Sequence, residues 1–453
     1  MAGRVAVGVD IGTTTVSAAV LDIGSGDVLA VRNVPNDAGI PSENAWEHLQ
    51  DPERIFEIAA GILDDLIDTY GEVFSIGVTG QMHGILYTAP DGKAVSPLYT
   101  WQDCRAGLGE PSACDIIREK TGYRISAGYG LATHYTLSML GDAPVGVYLC
   151  TVMDWLVMRL CGLAKPVIHA TNAASLGLYH MTDACFDENA LAVLGLEPAM
   201  LPDVTDRCVM AGRYRNISVS VAIGDNQAAF FGSVREPETT VLVNIGTGSQ
   251  VSLQCGRNTP VLVGAVETRP LTENRWLLSG SGLCGGRAYA VLERFFRRYT
   301  SAAGLPETEQ YEIMNRLAGD GLAEGNVLPV RTTFCGTRED PALLGQITDI
   351  NETNLTPEGL CAGVLTGMAA ELYKMYETMP HDRVMPHDRV KTMTASGNAV
   401  RKNPVLRQVL AETFGLPLQI PAHTEEAAFG AALFAARGAG ADDLRHCIRY
   451  QNS

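Results

Sequence analysis

The feature that most constrains the fold is a strand-turn-strand pattern that occurs twice in the chain. The first copy reads "VAVGVDIGTTTVSAAV" and the second "TTVLVNIGTGSQVSL", so that "DIGTTT" at 10–15 aligns with "NIGTGS" at 244–249. Apolar alternation on both sides of a glycine turn is typical of an antiparallel hairpin. The chain has 453 residues, more than the roughly 250 to 300 at which a single core stops growing. The repeat therefore predicts two lobes built on one plan; the alternative is a chance match of two common Gly-Thr hairpins.

The segments that flank the repeat predict an α/β fold. A third apolar run after the first hairpin predicts a three-stranded antiparallel meander, and Asp51 with Pro52 predicts a helix start. The stretch "FSIGVTGQMHG" then predicts a strand that ends in a glycine-bracketed loop. A charged, proline-containing junction, "REPETT" at 235–240, separates the copies. We predict an N-terminal lobe of residues 1–236 and a C-terminal lobe of residues 237–453.

The charge balance limits the kinds of partner that the protein can bind. The chain has 34 basic and 51 acidic residues, a net charge of −17, which argues against nucleic acid and anionic membranes as partners. An anionic ligand would instead be held by backbone N–H groups, hydroxyl groups or metal ions.

The sequence shows no signal-peptide pattern and no apolar run of about 18 residues, so we expect a cytoplasmic protein without a membrane span. The eleven cysteines form no CxxC pair, which favours reduced thiols over disulfides or a zinc site. Oligomeric state cannot be predicted from the sequence.

Both Gly-Thr turns suit the binding of phosphate. Glycine allows the backbone to pass close to a ligand, and hydroxyl and backbone N–H groups can donate hydrogen bonds to phosphate oxygens. Asp10 could hold a hydrated magnesium ion, whereas Asn244 at the equivalent position is neutral. The candidate nucleotide-binding residues of the two turns are Gly12, Thr13, Thr14, Gly246, Thr247 and Ser249.

A third candidate nucleotide element is "KTMTASGNAVRKNP", in which a strand over 392–395 enters a turn followed by a helix. Gly397 and Asn398 could admit a base or ribose close to the backbone; a plain helix-capping loop is the alternative. The stretch "GSGLCG" at 280–285 fits the dinucleotide pattern between a strand and a helix. It lacks the acidic residue expected about 20 positions later, so we do not favour a nicotinamide site.

Asp225, in "VAIGDNQAAFFG" at 221–232, is the most conspicuous single carboxylate. The pattern predicts a strand that ends at Gly224 and a buried helix that follows. Asp225 lies at this junction, where it could be a helix N-cap or a functional group; the local pattern leaves both interpretations open.

One segment is a tandem copy of six residues, "MPHDRVMPHDRV" at 379–390. A proline in each copy predicts an exposed loop that cannot extend the preceding helix. We do not interpret its His381, Asp382, His387 and Asp388 as metal ligands.

The motifs in order resemble the FGGY family of carbohydrate kinases over essentially the whole chain. They are "VDIGTTT", "GVTGQMHG", "TWQDCRA", "GDNQAAFFG", "NIGTGSQ", "SGSGLCGG", "FCGTREDP", "ASGNAVRKNP" and "TEEAAFGAALFAA". The resemblance implies two RNase H-like lobes of the actin-like ATPase superfamily with a central cleft, sugar bound mainly by the first lobe and ATP, with Mg²⁺, mainly by the second. It also implies that Asp225 is the catalytic base.

The resemblance further implies the sugar-binding residues. Four of them have a structural alternative: Trp101 as core, His83 as a structural histidine, and Asp103 with Arg105 as a simple ion pair. No role follows for "TREDP" at 337–341. The implied set is Gln81, Met82, His83, Trp101, Asp103, Arg105 and Asn226.

Two segments, "GYGLATHY" and "VIHATNAASLGLYHM", resemble most the branch of the family that phosphorylates the seven-carbon ketose sedoheptulose to sedoheptulose 7-phosphate. The usual family signature, with a lysine before an aromatic residue and tryptophan, is not matched. A xylulose kinase or another ketose or polyol kinase is the near alternative, and an actin-like nucleotide switch or a dehydrogenase the distant ones.

Overall fold

A computed structural model describes residues 4–259, 261–273, 275–337, 340, 342–380 and 390–451. The four residues weighed as metal ligands in the tandem repeat lie outside this range, as do Arg338, Glu339 and Pro341 of "TREDP". Among the described residues, no helix combines the length and apolar character that a membrane span requires.

The chain divides into two compact units that are each discontinuous in sequence. Unit 1 comprises the chain up to Arg235, with Arg269–Arg275 and Glu425–Arg449; unit 2 comprises Glu236–Thr268, Trp276–Thr424 and the residues from Tyr450 onward. The first division lies next to the boundary expected after residue 236. The observed units differ from the predicted lobes in the two later segments that belong to unit 1.

The elements up to Arg235 alternate between strands and helices. They are β1 Val5–Ile11, β2 Thr15–Asp22, β3 Val28–Pro35, β4 Gly39–Ile40, β5 Leu49–Gln50, α1 Pro52–Tyr70, β6 Val73–Gly80, β7 Leu86–Thr88, β8 Leu98–Tyr99, α2 Ala113–Thr121, α3 Gly130–Leu140, β9 Tyr148–Cys150, α4 Val152–Cys161, β10 Val167–His169, α5 Ala170–Leu176, β11 Tyr179–His180, β12 Cys185–Phe186, α6 Glu188–Leu194, β13 Asp203–Thr205, β14 Met210–Tyr214, β15 Ile217–Ser220 and α7 Asp225–Ser233.

The elements from residue 236 onward follow a similar alternation. They are β16 Thr240–Ile245, β17 Ser249–Gly256, β18 Val266–Thr272, β19 Arg275–Gly282, α8 Gly286–Ala302, α9 Tyr311–Glu324, β20 Val330–Arg331, β21 Gln346–Ile347, α10 Pro357–Thr378, β22 Thr392–Ser396, α11 Asn398–Lys402, α12 Pro404–Phe414, β23 Leu418–Gln419 and α13 Glu426–Gly438.

The main sheet of unit 1 has the order β14-β15-β6-β1-β2-β3 in its described residues. β1, β2 and β3 form the predicted antiparallel meander, and β6 runs parallel to β1. Helix α1 begins as predicted, because the Asp51 side chain accepts a hydrogen bond from the Glu53 N–H at 3.0 Å and Pro52 occupies the first turn. Its apolar stripe, which includes Ile55 and Leu63, packs into the core beneath β1 and β2.

The sheet formed by the second copy has the order β18-β19-β17-β16-β22-β23. Its first strand, β16, pairs antiparallel with β17 and parallel with β22, just as β1 pairs antiparallel with β2 and parallel with β6. The two copies of the repeat therefore occupy equivalent positions in two sheets, which confirms the prediction of two α/β units on one plan.

Helix α13 belongs to unit 1 because its small residues allow a very close approach to α7, β1 and β6. A Cβ atom added at Gly430 of α13 would lie 1.8 Å from the carbonyl oxygen of Ala228 in α7, and one added at Gly77 of β6 would lie 1.9 Å from that of Ala431. Such distances exclude any side chain, so the spacing of small residues in "TEEAAFGAALFAA" is explained by packing.

Candidate active site

The predicted catalytic and phosphate-binding segments of unit 1 lie at one edge of its main sheet. Ile11 at the end of β1 is in register with Gly80 at the end of β6, and these strands are parallel. β15 is parallel to β6 as well, and α7 follows it. The carboxyl ends of parallel strands form the usual ligand-binding edge of an α/β sheet. The first Gly-Thr turn, the loop that begins at Gln81 and the start of α7 are thereby brought to one edge.

Asp225 is the first residue of α7, and Gly224 is its N-cap. The strand predicted to end at Gly224 ends at Ser220 instead, and the N-cap interpretation of Asp225 is wrong by one position. The Asp225 Oδ1 atom accepts a hydrogen bond of 2.6 Å from the N–H of Asn226. Burial raises the pKa of Asp225 to about 6, although the Asn226 N–H and the charge of Arg269 act in the opposite direction. A carboxylate with this pKa is ionised at neutral pH and is a stronger base than an exposed aspartate.

Asp10 lies close enough to Asp225 for their charges to interact. Burial and, to a lesser extent, the charges of Asp225 and Glu425 raise the pKa of Asp10 to about 7. No role was predicted for Glu425 or Arg269 from the sequence. Both belong to segments that are distant in sequence but part of unit 1, and the only signal for Glu425 was its place in the "TEEAAFGAALFAA" motif.

These carboxylates fit a hydrated magnesium ion better than an all-protein cage. The described part of the chain contains no group of three or more His, Cys, Asp or Glu side chains arranged to hold a metal. Mg²⁺ commonly takes one or two carboxylates, with water and substrate phosphate as its other ligands. Asp10, whose pKa is raised by burial and then by neighbouring negative charge, provides a carboxylate of this kind.

A buried polar network fixes the backbone that leads into Asp225. The Gly224 N–H donates to Thr171 Oγ1 at 2.9 Å, and Asn172 Nδ2 donates to the carbonyl oxygen of Ala222 at 3.3 Å. Asn172 Nδ2 also lies 3.3 Å from Asp154 Oδ1. All of these side chains are buried. They were not identified as functional from the sequence, because their contacts are made across elements rather than along the chain.

The first Gly-Thr turn is closed by the Gly12 N–H, which donates to the Thr15 carbonyl oxygen at 3.0 Å. Thr13 connects this turn to predicted sugar residues: Trp101 Nε1 donates to Thr13 Oγ1 at 3.0 Å, and Thr13 Oγ1 donates to Gln81 Oε1 at 3.4 Å. Thr14 is exposed, and Trp101 is 47% exposed rather than a core residue. The exposed indole is available to form an apolar wall for a ligand.

Met82 and His83 line the loop after β6. Met82 is buried, and a Cβ atom at Gly224 would lie only 2.7 Å from its Cε, so Met82 packs directly against the residue that precedes Asp225. His83 has φ of 75°, an uncommon conformation for a side-chain-bearing residue. Its Nδ1 lies 2.8 Å from the carbonyl oxygen of Ser175, and its ring stacks on Tyr129 at 4.4 Å. This ring is therefore held in a fixed orientation.

Asp103 and Arg105 form the ion pair that was the alternative to a sugar-binding role. Arg105 Nε and Nη2 donate to the two Asp103 oxygens at 2.7 and 3.0 Å, and Nη2 also donates to Glu47 at 3.1 Å. The guanidinium lies over the ring of Tyr99 at 4.4 Å. In this arrangement the pair stabilises the loop that carries Trp101. Asn226, the remaining predicted sugar residue, is buried in α7.

In unit 2, the second Gly-Thr turn is held by the start of α8. The Gly286 N–H donates to the Gly246 carbonyl oxygen at 2.9 Å, and the Arg287 N–H donates to that of Thr247 at 3.1 Å. Thr247 is exposed and Ser249 is buried. The start of α8, directly after the "GSGLCG" stretch, thus supports the Gly-Thr turn of the repeat, a contact that the dinucleotide-like pattern did not reveal.

Gly397 and Asn398 reach the same edge of this sheet, because β16 and β22 are parallel and Asn244 is in register with Ser396. Gly397 has φ of 92°, and a Cβ atom there would lie 2.4 Å from the carbonyl oxygen of Ile245. Only glycine fits this position. Asn398 begins the short helix α11, where the sequence predicted a turn, and its side chain is exposed.

Unit 2 also contains a cavity of about 860 Å³, which is within the size range of small-molecule pockets. Its walls include Ser279, Ser281 and Gly282 of β19 and Glu371 of α10. None of the predicted nucleotide-binding residues lines it. The sequence analysis did not predict this cavity, because it depends on how α10 and the segment after α9 pack on the sheet.

Residues 5–232 match the N-terminal domain of the FGGY family of carbohydrate kinases, and residues 241–439 match its C-terminal domain. The chain therefore belongs to this family. It is an ATP-dependent carbohydrate kinase.

Sedoheptulokinase of Mus musculus is 28% identical, over 96% of this chain and 98% of its own length, and that of Homo sapiens is 27% identical over the same shares. Glycerol kinase of Aromatoleum aromaticum is 27% identical over 95% of this chain and 89% of its own length. The xylulose kinase structure from Lactobacillus acidophilus superimposes with a TM-score of 0.82, at 18% identity, over 99% of this chain and 93% of that one. The last similarity establishes the fold alone.

Proposed function

We propose that this carbohydrate kinase transfers the γ-phosphoryl group of ATP to sedoheptulose, forming sedoheptulose 7-phosphate, with Asp225 as the general base. The observation that carries the proposal is the partly buried carboxylate at the start of α7, whose pKa is raised to about 6, at the sheet edge that also carries a Gly-Thr turn. The choice of sedoheptulose is supported by the two sedoheptulokinases that align over nearly the whole chain.

In this proposal Asp225 accepts the proton of the sugar hydroxyl as its oxygen bonds to the γ-phosphorus atom. The bond between that phosphorus and the bridging oxygen breaks at the same time, and ADP leaves. The Thr171 and Asn172 contacts fix the backbone before Asp225, so the carboxylate is positioned before the sugar binds. A positioned base typically contributes about 10²–10⁴-fold to the rate.

Asp10 is the proposed carboxylate for Mg²⁺. When bound, the ion would neutralise charge on the phosphate oxygens. The residues of the chain supply the rest of the phosphate environment: the turns at Gly12, Thr13 and Thr14 and at Gly246, Thr247 and Ser249 are proposed to donate hydrogen bonds to phosphate. Gly397 and Asn398 are proposed to contact the base or ribose.

For the sugar, we propose contacts from Gln81, Trp101, His83 and Asn226, with Met82 as an apolar neighbour. Trp101 and Gln81 both bond to Thr13, so sugar and phosphate contacts are coupled through one turn. Asp103 and Arg105 are proposed to act on the sugar indirectly, by stabilising the Trp101 loop. Xylulose is the second candidate substrate, because a xylulose kinase is the near alternative that the sequence motifs leave open.

The test is ADP release by the purified chain with ATP and magnesium in the presence of sedoheptulose, xylulose, ribulose, glycerol or gluconate. We expect the largest kcat/KM with sedoheptulose and a product phosphorylated at the terminal hydroxyl. Asp225→Ala should lose this activity while it retains ATP binding.

Preference for another ketose would keep the proposed chemistry and reject sedoheptulose as substrate. Activity of Asp225→Ala within tenfold of the parent enzyme would reject the proposed base, since a general base contributes at least about 10²-fold.

A further inference from the structure

Two cysteine thiols that the proposed reaction does not use lie in contact in unit 2. The Sγ atoms of Cys284 and Cys335 are 3.8 Å apart, although the residues are separated by 51 positions. Cys284 is 2% exposed, whereas Cys335 is partly exposed. Both are free thiols. The distance is well above the 2.05 Å of a disulfide but requires only a small displacement to close.

The position of Cys284 connects this pair to the second Gly-Thr turn. Cys284 precedes Gly285 and Gly286, and the Gly286 N–H donates to the Gly246 carbonyl oxygen at 2.9 Å. A Cβ atom at Gly285 would lie 2.1 Å from the carbonyl oxygen of Gly248. The backbone beside Cys284 is therefore in close contact with the turn, and a shift of one displaces the other.

The two thiols have different surroundings. Arg287 Nη1 donates to Cys335 Sγ at 3.6 Å, and a cationic neighbour with partial exposure is characteristic of cysteines that react with oxidants. Burial, followed by the neighbouring Cys335 thiol, raises the pKa of Cys284 to about 11. This difference indicates the order of reaction: Cys335 reacts with the oxidant first, and Cys284 then forms the disulfide with it.

We propose that Cys284 and Cys335 form a reversible disulfide in the presence of hydrogen peroxide, and that this bond weakens nucleotide binding at the second Gly-Thr turn. In the first step the Cys335 thiolate attacks the peroxide, which gives a sulfenic acid and hydroxide. In the second step that hydroxide takes the proton of the Cys284 thiol and becomes water, the Cys284 thiolate attacks the Cys335 sulfur, and the S–O bond breaks. The oxygen leaves as hydroxide, which the proton first released by Cys335 converts to the second water. Overall, two thiols and one peroxide yield one disulfide and two waters.

Closing the sulfur–sulfur distance from 3.8 Å to about 2.05 Å displaces the loop at Cys284, the segment at Cys335, or both. Loss of one hydrogen bond to a charged phosphate corresponds to about tenfold weaker binding. We therefore expect the KM for ATP to rise about tenfold. This consequence rests on the proposed nucleotide-binding role of the turn, whereas formation of the disulfide does not.

The experiment treats the reduced full-length protein with hydrogen peroxide, blocks remaining thiols with an alkylating reagent, and maps peptides by mass spectrometry without reduction. Cys335→Ser is the test variant, because its site is partly exposed and the substitution is small. Cys185→Ser is the matched control, since Cys185 is an exposed thiol of unit 1. Binding of a fluorescent ATP analogue and ATP-dependent turnover are measured before and after oxidation.

We expect a peptide that joins Cys284 to Cys335 in the parent protein and in Cys185→Ser, its absence in Cys335→Ser, and its reversal by dithiothreitol. Arg287→Gln should slow the cross-link. If the Cys185 thiol is consumed while Cys284 and Cys335 remain uncross-linked, the disulfide is refuted.

A cross-link that leaves nucleotide affinity unchanged would refute the coupling to the turn. Failure of every sugar to stimulate ADP release would overturn the proposed function instead, and the cross-link and analogue binding would still report on the disulfide.

Discussion

Replacement of Asp225 by asparagine should stabilise the protein while it abolishes most of the activity. Burial raises the pKa of Asp225 from 3.8 to about 6, and each pKa unit corresponds to about 1.36 kcal/mol between the protonation states. Above pH 6 the ionised carboxylate therefore lowers the free energy of unfolding by about 3 kcal/mol. An asparagine Oδ1 can still accept the hydrogen bond from the Asn226 N–H without the charge.

The sign of this effect depends on pH in a defined way. Below the unfolded pKa of 3.8, the carboxyl group is protonated in both states, so Asp225→Asn gains nothing. As the pH rises through about 6, the native aspartate ionises and the penalty reaches its full value. The stabilisation of the variant should thus be complete at pH 8 and vanish towards pH 4. The substitution also removes the repulsion between Asp225 and the neighbouring Asp10, whose pKa is raised partly by Asp225, and this further stabilises the variant.

The assay is calorimetric unfolding without ATP or magnesium at several pH values, together with ADP release at pH 8. We expect a midpoint raised by about 6 °C at pH 8 and kcat lowered by about 10²–10⁴-fold. Asp65→Asn, at an exposed carboxylate of α1, is the matched control and should change the free energy of unfolding by less than about 0.5 kcal/mol. A variant that melts below the parent protein at every pH, or keeps its kcat, would refute the reasoning.

Three further outcomes are expected. In a pH profile, kcat/KM should rise between about pH 5 and 8 and then level off, because Asp225 with a pKa of about 6 and Asp10 with one of about 7 must lose protons; a flat profile would contradict this. Thr171→Val should lower kcat more than it raises either KM, since it removes the hydrogen-bond acceptor that holds the backbone before the base, and Thr171→Ser should restore kcat in the same steady-state assay. Gly397→Ala should raise the KM for ATP and lower the free energy of unfolding in urea by more than about 2 kcal/mol, because the added Cβ would collide with the Ile245 carbonyl oxygen at the end of β16. The control is Gly415→Ala, where φ is 63° and no atom lies near the added Cβ. It should lower the free energy of unfolding by only about 1 kcal/mol and leave the KM for ATP unchanged.

The sheet edge that carries the candidate site could be predicted from the sequence because its elements are local. The alternation in "VAVGVDIGTTTVSAAV" determines both strands and the turn of the first hairpin, and β1 and β2 form as expected. The equivalent hairpin at β16 and β17 follows by the same pattern. Once the strands that end at Gly80 and Ser396 run parallel to β1 and β16, their loops must reach the same edges as the Gly-Thr turns.

What could not be predicted depends on packing between distant segments. Glu425 affects the pKa of Asp10 only because α13 packs on β1 and β6, although α13 lies in the C-terminal half of the chain. Residues 221–224 were interpreted as a strand because they are apolar. The Ile223 N–H does donate to the Val78 carbonyl oxygen of β6 at 3.0 Å, but the Gly224 N–H donates to a threonine side chain. Side-chain acceptors of this kind leave no periodic signal.

The two Gly-Thr turns differ in a way that explains how one scaffold can carry two kinds of chemistry. Asp10 of β1 lies near Asp225 and Glu425, and their charges contribute to its raised pKa. The equivalent Asn244 of β16 donates instead to Ser396 Oγ at 2.8 Å, which keeps that turn free of negative charge of its own. Neighbouring, partly buried carboxylates destabilise unit 1, and binding of a cation or a proton relieves that cost. We therefore propose that the divergence between Asp10 and Asn244, rather than the repeat itself, assigns proton and metal chemistry to unit 1 alone.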